Sequence, residues 1–323
     1  MKSDVWEKMN MCGRERKPFF FMIDFALQKP MVFLSEDLCS SKLKFVFPNG
    51  SNVKDKPIVG EKKTDMKVYP PSYDRYQKAF RIVHDHLMYG NSYLLNLTLP
   101  SKIEINLNLE EIFYKSKAPY KLWYNDQLVV FSPEAFIKIK NGKVFSYPMK
   151  GTIDATIPNA EQIIIEDEKE LAEHYTIVDL IRNDLSRISK NVKVNRFRYI
   201  DKINTVKGSL LQVSSEIVGD LPDDYDAHLG DLLYSLLPAG SISGAPKKKT
   251  VEIIQESEQY DRGYYTGVCG YFDGEQLESA VMIRYIEHIN NEYYFKSGGG
   301  ITVRSDCKKE YEELIAKVYV PFS

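Results

Sequence analysis

Apolar and polar positions along this chain group into short strand-like blocks, interrupted by a few stretches with a helical period. Pro18–Phe25 and Pro30–Leu34 are separated by the polar pair Gln28-Lys29, which predicts a hairpin, and Phe19-Phe20-Phe21-Met22-Ile23 reads as a buried strand. Leu43–Phe47 is another short strand, and Pro48–Lys67, rich in Lys, Gly, Asp and Pro, predicts an exposed loop. Ser72–Tyr89 reads as a helix, with Tyr76, Phe80, Val83 and Leu87 at spacings of 4, 3 and 4, ended by Gly90. Strands are predicted over Ser92–Leu99, Leu128–Ser132, Phe136–Lys140 and Lys143–Tyr147, with Asn141-Gly142 as a hairpin turn between the last two. Glu168–Ile188 is the clearest helix, because Leu171, Tyr175, Val178, Ile181 and Leu185 share one face. Further helices are expected over Ala227–Leu236, from Pro246 in a first turn to about Gln259, and over Lys308–Tyr319. Strands Gly267–Phe272, Ser279–His288 and Glu292–Ser297 precede the last of these. Many strands with interspersed long helices predict an α+β fold of antiparallel-rich sheets packed against helices.

The chain has 323 residues, 43% hydrophobic and 27% charged, enough for a large core. We expect one domain over 1–323, with 1–71 as a short strand-rich segment packed on it. A net charge of −2 gives no electrostatic ground for a nucleic acid or an anionic membrane as partner. No run of about 18 apolar residues exists to cross a membrane. The charged start Met1–Lys8 lacks a signal-peptide core, so a cytoplasmic location is expected. Cys12, Cys39, Cys269 and Cys307 are scattered, which fits reduced thiols, and five unpaired histidines give no zinc or iron spacing.

Charge brings in two carboxylate pairs. Glu170 and Glu173 stand at i, i+3 on one predicted helix, and Glu310 and Glu313 at i, i+3 on another, each beside the apolar stripe. Magnesium takes a few carboxylates, keeps waters and uses substrate oxygens, so two such pairs suit it; solvated surface glutamates are the other reading. Ser297-Gly298-Gly299-Gly300-Ile301 reads as a glycine-rich loop after a strand, either an anion-binding nest or a flexible turn. Pro238–Lys247 is a small-residue loop running into a helix, either a set of N–H donors for a carboxylate or a plain connection. Lys150, in a loop between Pro148 and Gly151-Thr152, is a surface charge unless its setting frees the amine as a nucleophile.

From Ser72 onward these segments resemble the chorismate-utilising enzymes. The likeness is carried by Ser132-Pro133-Glu134, Pro148-Met149-Lys150-Gly151-Thr152, Glu170-Leu171-Ala172-Glu173-His174 and Val178–Leu185. It continues through Pro238–Lys247, Gly270-Tyr271, Ile283-Arg284, Ser297–Gly300 and Glu310–Glu313, all in family order. The resemblance implies a large α/β sandwich of two sheets flanked by helices, with the active site between the sheets. It implies Mg2+ held by Glu173 and Glu313 directly, and by Glu170 and Glu310 through water, against the ring carboxylate of chorismate. Arg284, Tyr271 and the Gly298, Gly299 and Gly300 backbone are implied as the clamp for the second carboxylate. Thr152, Ser241 and Gln212 are implied as further substrate contacts. Glu134 resembles the general acid at the 4-hydroxyl, which requires a carboxyl still protonated near neutral pH.

Lys150 stands where anthranilate and isochorismate synthases carry a small residue and aminodeoxychorismate synthases carry lysine. The implied chemistry is attack of the lysine amine on the ring, then displacement by ammonia. Leu94 stands where isochorismate and salicylate synthases place a water-activating lysine, which favours amination over hydration. Gln212 replaces a histidine proposed in many relatives for proton transfer, and glutamine cannot shuttle a proton. The region before Ser72 is short beside that of larger relatives, so their tryptophan pocket is not expected here. No Gly-x-Cys-x-Gly turn is present, so ammonia is expected from solution or from a glutamine amidotransferase partner. Anthranilate synthase component I and a catalytically silent chorismate-binding subunit are the rival readings.

Overall fold

Helix α1 (Asp4–Arg14) is followed by strands β1 (Phe19–Ile23), β2 (Met31–Leu34), β3 (Leu43–Phe47), β4 (Gly50–Ser51) and β5 (Met66–Tyr69). Helix α2 (Tyr73–Met88), strand β6 (Leu94–Ile105) and helix α3 (Leu109–Lys115) come next. They lead into β7 (Tyr120–Tyr124), β8 (Leu128–Ser132), β9 (Ala135–Lys140), β10 (Lys143–Ser146) and β11 (Met149–Asp154). Helices α4 (Ala160–Glu166) and α5 (Glu168–Leu185) precede the long strands β12 (Lys190–Thr205) and β13 (Gly208–Asp220). A 3-10 turn, Tyr225–His228, leads to α6 (Leu229–Leu236), the short α7 (Gly240–Ser243), β14 (Gly244–Ala245) and α8 (Lys247–Glu258). Strands β15 (Val268–Phe272), β16 (Leu277–Val281), β17 (Tyr285–Ile289) and β18 (Glu292–Ile301) and helix α9 (Cys307–Ala316) complete the order. This computed structural model describes residues 4–38, 42–53, 64–205 and 208–322, so Cys39 and half of the expected loop Pro48–Lys67 lie outside the described residues.

The strands form two nine-stranded sheets. The first runs β11-β13-β10-β9-β16-β15-β1-β2, with β12 also on β13; the second runs β14-β6-β18-β17-β8-β7-β3-β4, with β5 on β6. Neighbouring strands pair antiparallel, as in β1–β15, β10–β13 and β6–β18. The expected two-sheet antiparallel sandwich with flanking helices is what forms. The β1 run shows why it reads as unbroken apolar sequence. Phe19, Phe21 and Ile23 face a core shared with α1, α5 and α6, while Phe20 and Met22 face a second core against Phe45, Tyr120, Val130 and Tyr285. Both faces of this strand are therefore buried, and each such large side chain contributes about 1.5–3 kcal/mol of burial free energy. A third core lies where α2, α8 and α9 cover Leu95, Leu97, Leu99 and Ile301.

Local signals act as expected in several places. Asn141 (φ 53°) and Gly142 (φ 69°) make the two-residue turn between β9 and β10. Ser72 Oγ accepts from Arg75 N–H at 3.3 Å to start α2, and Asp167 accepts from Glu170 N–H at 2.8 Å to start α5.

Other expectations are corrected. The segment before residue 72 is not only strands: α1 packs Trp6, Met9 and Cys12 into the core against α6. The strand expected over Ser279–His288 is two strands, β16 in the first sheet and β17 in the second, with Arg284 (φ 52°) in the crossover. The glycines after Ser297 are not a loop but the end of β18, paired with β6 through Gly298↔Thr98, Gly299↔Leu97 and Gly300↔Asn96. Lys150 likewise belongs to a strand, β11. Pro246 precedes α8 in extended conformation (ψ 135°) and does not lie within its first turn. Among the described residues no helix is long and apolar enough to cross a membrane.

Candidate active site

A cavity of about 580 Å³ opens where the two sheets meet α5 and α9, a size typical of small-molecule sites. Strands β11 and β13 supply Lys150, Thr152 and Gln212; α5 supplies Glu170 and Glu173; α9 supplies Glu310 and Glu313. Glu134, Ser241, Arg284, Gly298 and Gly300 complete the expected residues in its wall.

A register shift between Met149 and Thr152 in the β11–β13 ladder spans Lys150 and Gly151, and such a bulge re-aims side chains. Lys150 Nζ donates to Glu173 Oε2 at 3.1 Å and lies 3.7 Å from where a Cβ on Gly300 would stand. Gly151 has φ +78°, and a Cβ there would come within 3.1 Å of Glu170 Oε2. The glycine after the lysine thus serves both the turn of the backbone and the approach of a glutamate. Thr152 stands opposite Gln212 in the same ladder.

On α9, Asp306 caps the first turn by accepting from Lys309 N–H at 3.0 Å. That sets Glu310 and Glu313 against the glycine strand: a Cβ on Gly299 would lie 3.2 Å from Glu313 Oε1 and 3.5 Å from Glu310 Oε2. Lys317, one helical turn beyond Glu313, pairs with Glu313 Oε1 at 2.6 Å and donates to the Gly298 carbonyl at 2.9 Å. Sequence reasoning missed Lys317, although its i+4 spacing from Glu313 was a usable signal. Among the described residues no three acidic, histidine or cysteine side chains cluster tightly enough to hold a metal unaided. The four glutamates are a set of hard oxygen donors on two helices, two of them paired to ammonium groups.

Glu134 follows β8. Its N–H donates to Ser132 Oγ at 3.1 Å, its carbonyl accepts from Val281 N–H, and its Oε1 accepts from Ser241 Oγ at 2.9 Å. It keeps some solvent contact through the cavity, yet protein surrounds it. That burial pushes its carboxyl above the usual range, against the Ser241 hydrogen bond and the positive charges of Lys150, Arg284 and Lys317. Arg284 reaches the cavity from the crossover between the sheets, its guanidinium 5.1 Å from the centre of the Tyr319 ring.

Two expected residues, Gly299 and Tyr271, are absent from the cavity wall; Gly299 stays beside Glu310 and Glu313, whereas Tyr271 lies elsewhere. It lies on β15 with its ring 4.9 Å from that of Phe45, over Gly50, whose Cβ would collide with it at 2.5 Å. Alternation along β15 turns Tyr271 toward the core between the sheets. The tyrosines lining the cavity are Tyr265 and Tyr319, which the sequence reading did not single out. His174, beside Glu173, is fully buried and bonds Ser215 Oγ through Nε2 at 2.7 Å. Burial, with Arg198 and Lys150 nearby, pushes it down to about 4, so it is a neutral anchor of α5 on β13.

Comparison with known proteins gives a consistent result. Residues 38–323 match the family described as chorismate binding enzyme. A Haemophilus influenzae protein named uncharacterized PabA-like protein is 50% identical over 98% of this chain and 95% of its own length. Aminodeoxychorismate synthase component 1 of Bacillus subtilis is 31% identical over 77% of this chain; the match spans only 55% of that protein. The crystal structure of anthranilate synthase component I from Streptococcus pneumoniae superposes with a TM-score of 0.68 at 27% identity, covering 84% of this chain and 61% of that one.

Proposed function

The chain belongs to the chorismate-binding enzyme family, and from that premise we propose that it is an aminodeoxychorismate synthase component, converting chorismate and ammonia to 4-amino-4-deoxychorismate and water. The observation that carries this reading is Lys150. Its amine enters the same cavity wall as Glu134, where a small side chain would leave no nucleophile. In the proposed sequence Lys150 first loses its ammonium proton to solvent, and the free amine then attacks ring carbon 2 while Glu134 protonates the departing 4-hydroxyl, which leaves as water. Ammonia then adds at carbon 4, the double bonds shift back, and the lysine amine leaves carbon 2. Leu94, apolar and in the cavity wall, cannot activate water, which supports amination over hydration.

Glu173 and Glu313 would hold Mg2+ directly and Glu170 and Glu310 through water, since magnesium needs only one or two carboxylates when substrate oxygens and waters fill the rest. Bound there, the ion would neutralise and orient a ring carboxylate. Arg284 and Lys317 carry the charge and donors for the second carboxylate. Ammonia would come from a partner glutamine amidotransferase or from ammonium salts. Anthranilate synthase component I is the competing reading, favoured by the likeness to the Streptococcus pneumoniae structure.

The test is mass-spectrometric product identification after incubation with chorismate, Mg2+ and ammonium, with and without a purified aminodeoxychorismate lyase. Aminodeoxychorismate is the expected product; anthranilate fluorescence without lyase would overturn the reading. Lys150→Ala should lower turnover by at least about 10²-fold while chorismate binding in the presence of Mg2+ persists. Turnover at the parent rate would remove the covalent role.

A further inference from the structure

The loop between α6 and α8 carries Ser241, the hydroxyl that donates to Glu134. One side chain closes the base of that loop. Lys247, the first residue of α8, donates to the carbonyl of Leu236, the last residue of α6, at 2.6 Å, and pairs with Asp184 Oδ2 on α5 at 2.8 Å. Both side chains are largely buried, 16% and 12% exposed, so solvent screens the pair little. Asp184 also supports the loop from beneath: a Cβ on Gly240 would stand 2.7 Å from its Oδ2. The backbone of residue 240 therefore rests on the carboxylate, and the next residue is Ser241.

We propose that Asp184 and Lys247 are positioning residues for Glu134, fixing the loop so that the Ser241 hydroxyl meets the acid. The contacts run without a gap from α5 through Asp184, Gly240 and Ser241 to Glu134. The inference rests on Glu134 serving as the general acid. Glu134 is faced by Ser241 from α7, Lys150 from β11, Arg284 from the crossover and Lys317 from beyond α9. Asp184 is faced by Lys247 and Arg187. The Ser241 donor favours the carboxylate form, so loosening the loop moves Glu134 to a higher titration point.

The experiment compares Ser241→Ala, Asp184→Asn and the pair replacement Asp184→Leu/Lys247→Met. The last leaves no buried charge alone, and so keeps the test open if Asp184→Asn does not fold. The side-chain carboxyl carbon of Glu134 is titrated by 13C NMR, its signal assigned by its loss in Glu134→Gln, and kcat and KM are measured against pH with chorismate, Mg2+ and ammonium. Each variant should raise the Glu134 titration by about one pH unit and lower kcat more than KM. Adding Ser241→Ala to the pair replacement should shift it no further. Folded ion-pair variants with an unmoved Glu134 titration, or shifts that add, would overturn the inference. Absence of turnover in the parent protein would sink the proposed function instead, and the NMR titration would still decide the positioning role.

Discussion

Glu134, proposed as the general acid, shows how a buried carboxyl lowers stability. Its carboxyl is raised by burial, so folding disfavours its charged form. Below the unfolded carboxyl value of about 4.3 the group is protonated in both states and carries no charge penalty. As pH rises through the raised folded value, the favourable contribution of the neutral form is lost. Glu134→Gln should therefore melt higher than the parent at pH 8 and not at pH 4, as thermal denaturation at both values will show. The same variant should lose about 10²-fold or more in kcat. In the parent, kcat/KM should fall on the alkaline side as Glu134 loses its proton. The motif around Glu134 was legible in sequence; the burial that sets its protonation was not, because Ser241 and Lys150 reach it only through the fold.

At the scale of elements, α5 and α9 were legible because their apolar stripes and paired glutamates follow a helical period. The strand pattern misled in three places. Alternation marks two faces of a strand, but in the first sheet both are buried, so it could not say which holds Tyr271. Apolar residues also continue through Met282 and Ile283, which hid the passage from one sheet to the other at Arg284. Glycine has no hydropathy signal, and Gly298–Gly300 read as a loop although they lie within β18. Their roles separate sterically. A Cβ on Gly298 would strike the Leu97 carbonyl at 2.2 Å, whereas one on Gly299 meets only the ends of Glu310 and Glu313. Gly299→Ala should thus leave the fold intact while weakening the apparent Mg2+ affinity about tenfold, an effect of order 1.4 kcal/mol. A magnesium titration of activity reads this directly, and an unchanged midpoint would place the ion elsewhere.

At the scale of the whole molecule, a buried network ties α8 to the second sheet beneath the cavity. Glu258 Oε1 accepts from Thr98 N–H at 2.7 Å and from Arg262 at 2.6 Å, and Arg262 also donates to the Asn96 carbonyl at 2.7 Å. Both charged side chains are almost wholly buried, 2% and 1% exposed. Arg262→Met would leave Glu258 charged and uncompensated, and should cost about 3–5 kcal/mol, measurable by denaturant unfolding. Within the cavity, the same principle of internal pairing governs Lys150 with Glu173 and Lys317 with Glu313. On the proposed reading, a dication arriving alone would have to evict an ammonium group, and a dianion arriving alone would have to draw one from its carboxylate. Arriving together, each releases the partner the other needs. Linkage would then raise the two affinities by the same factor, and a cavity of the proposed kind would act as a coincidence detector, engaging substrate and ion jointly and holding either one poorly by itself.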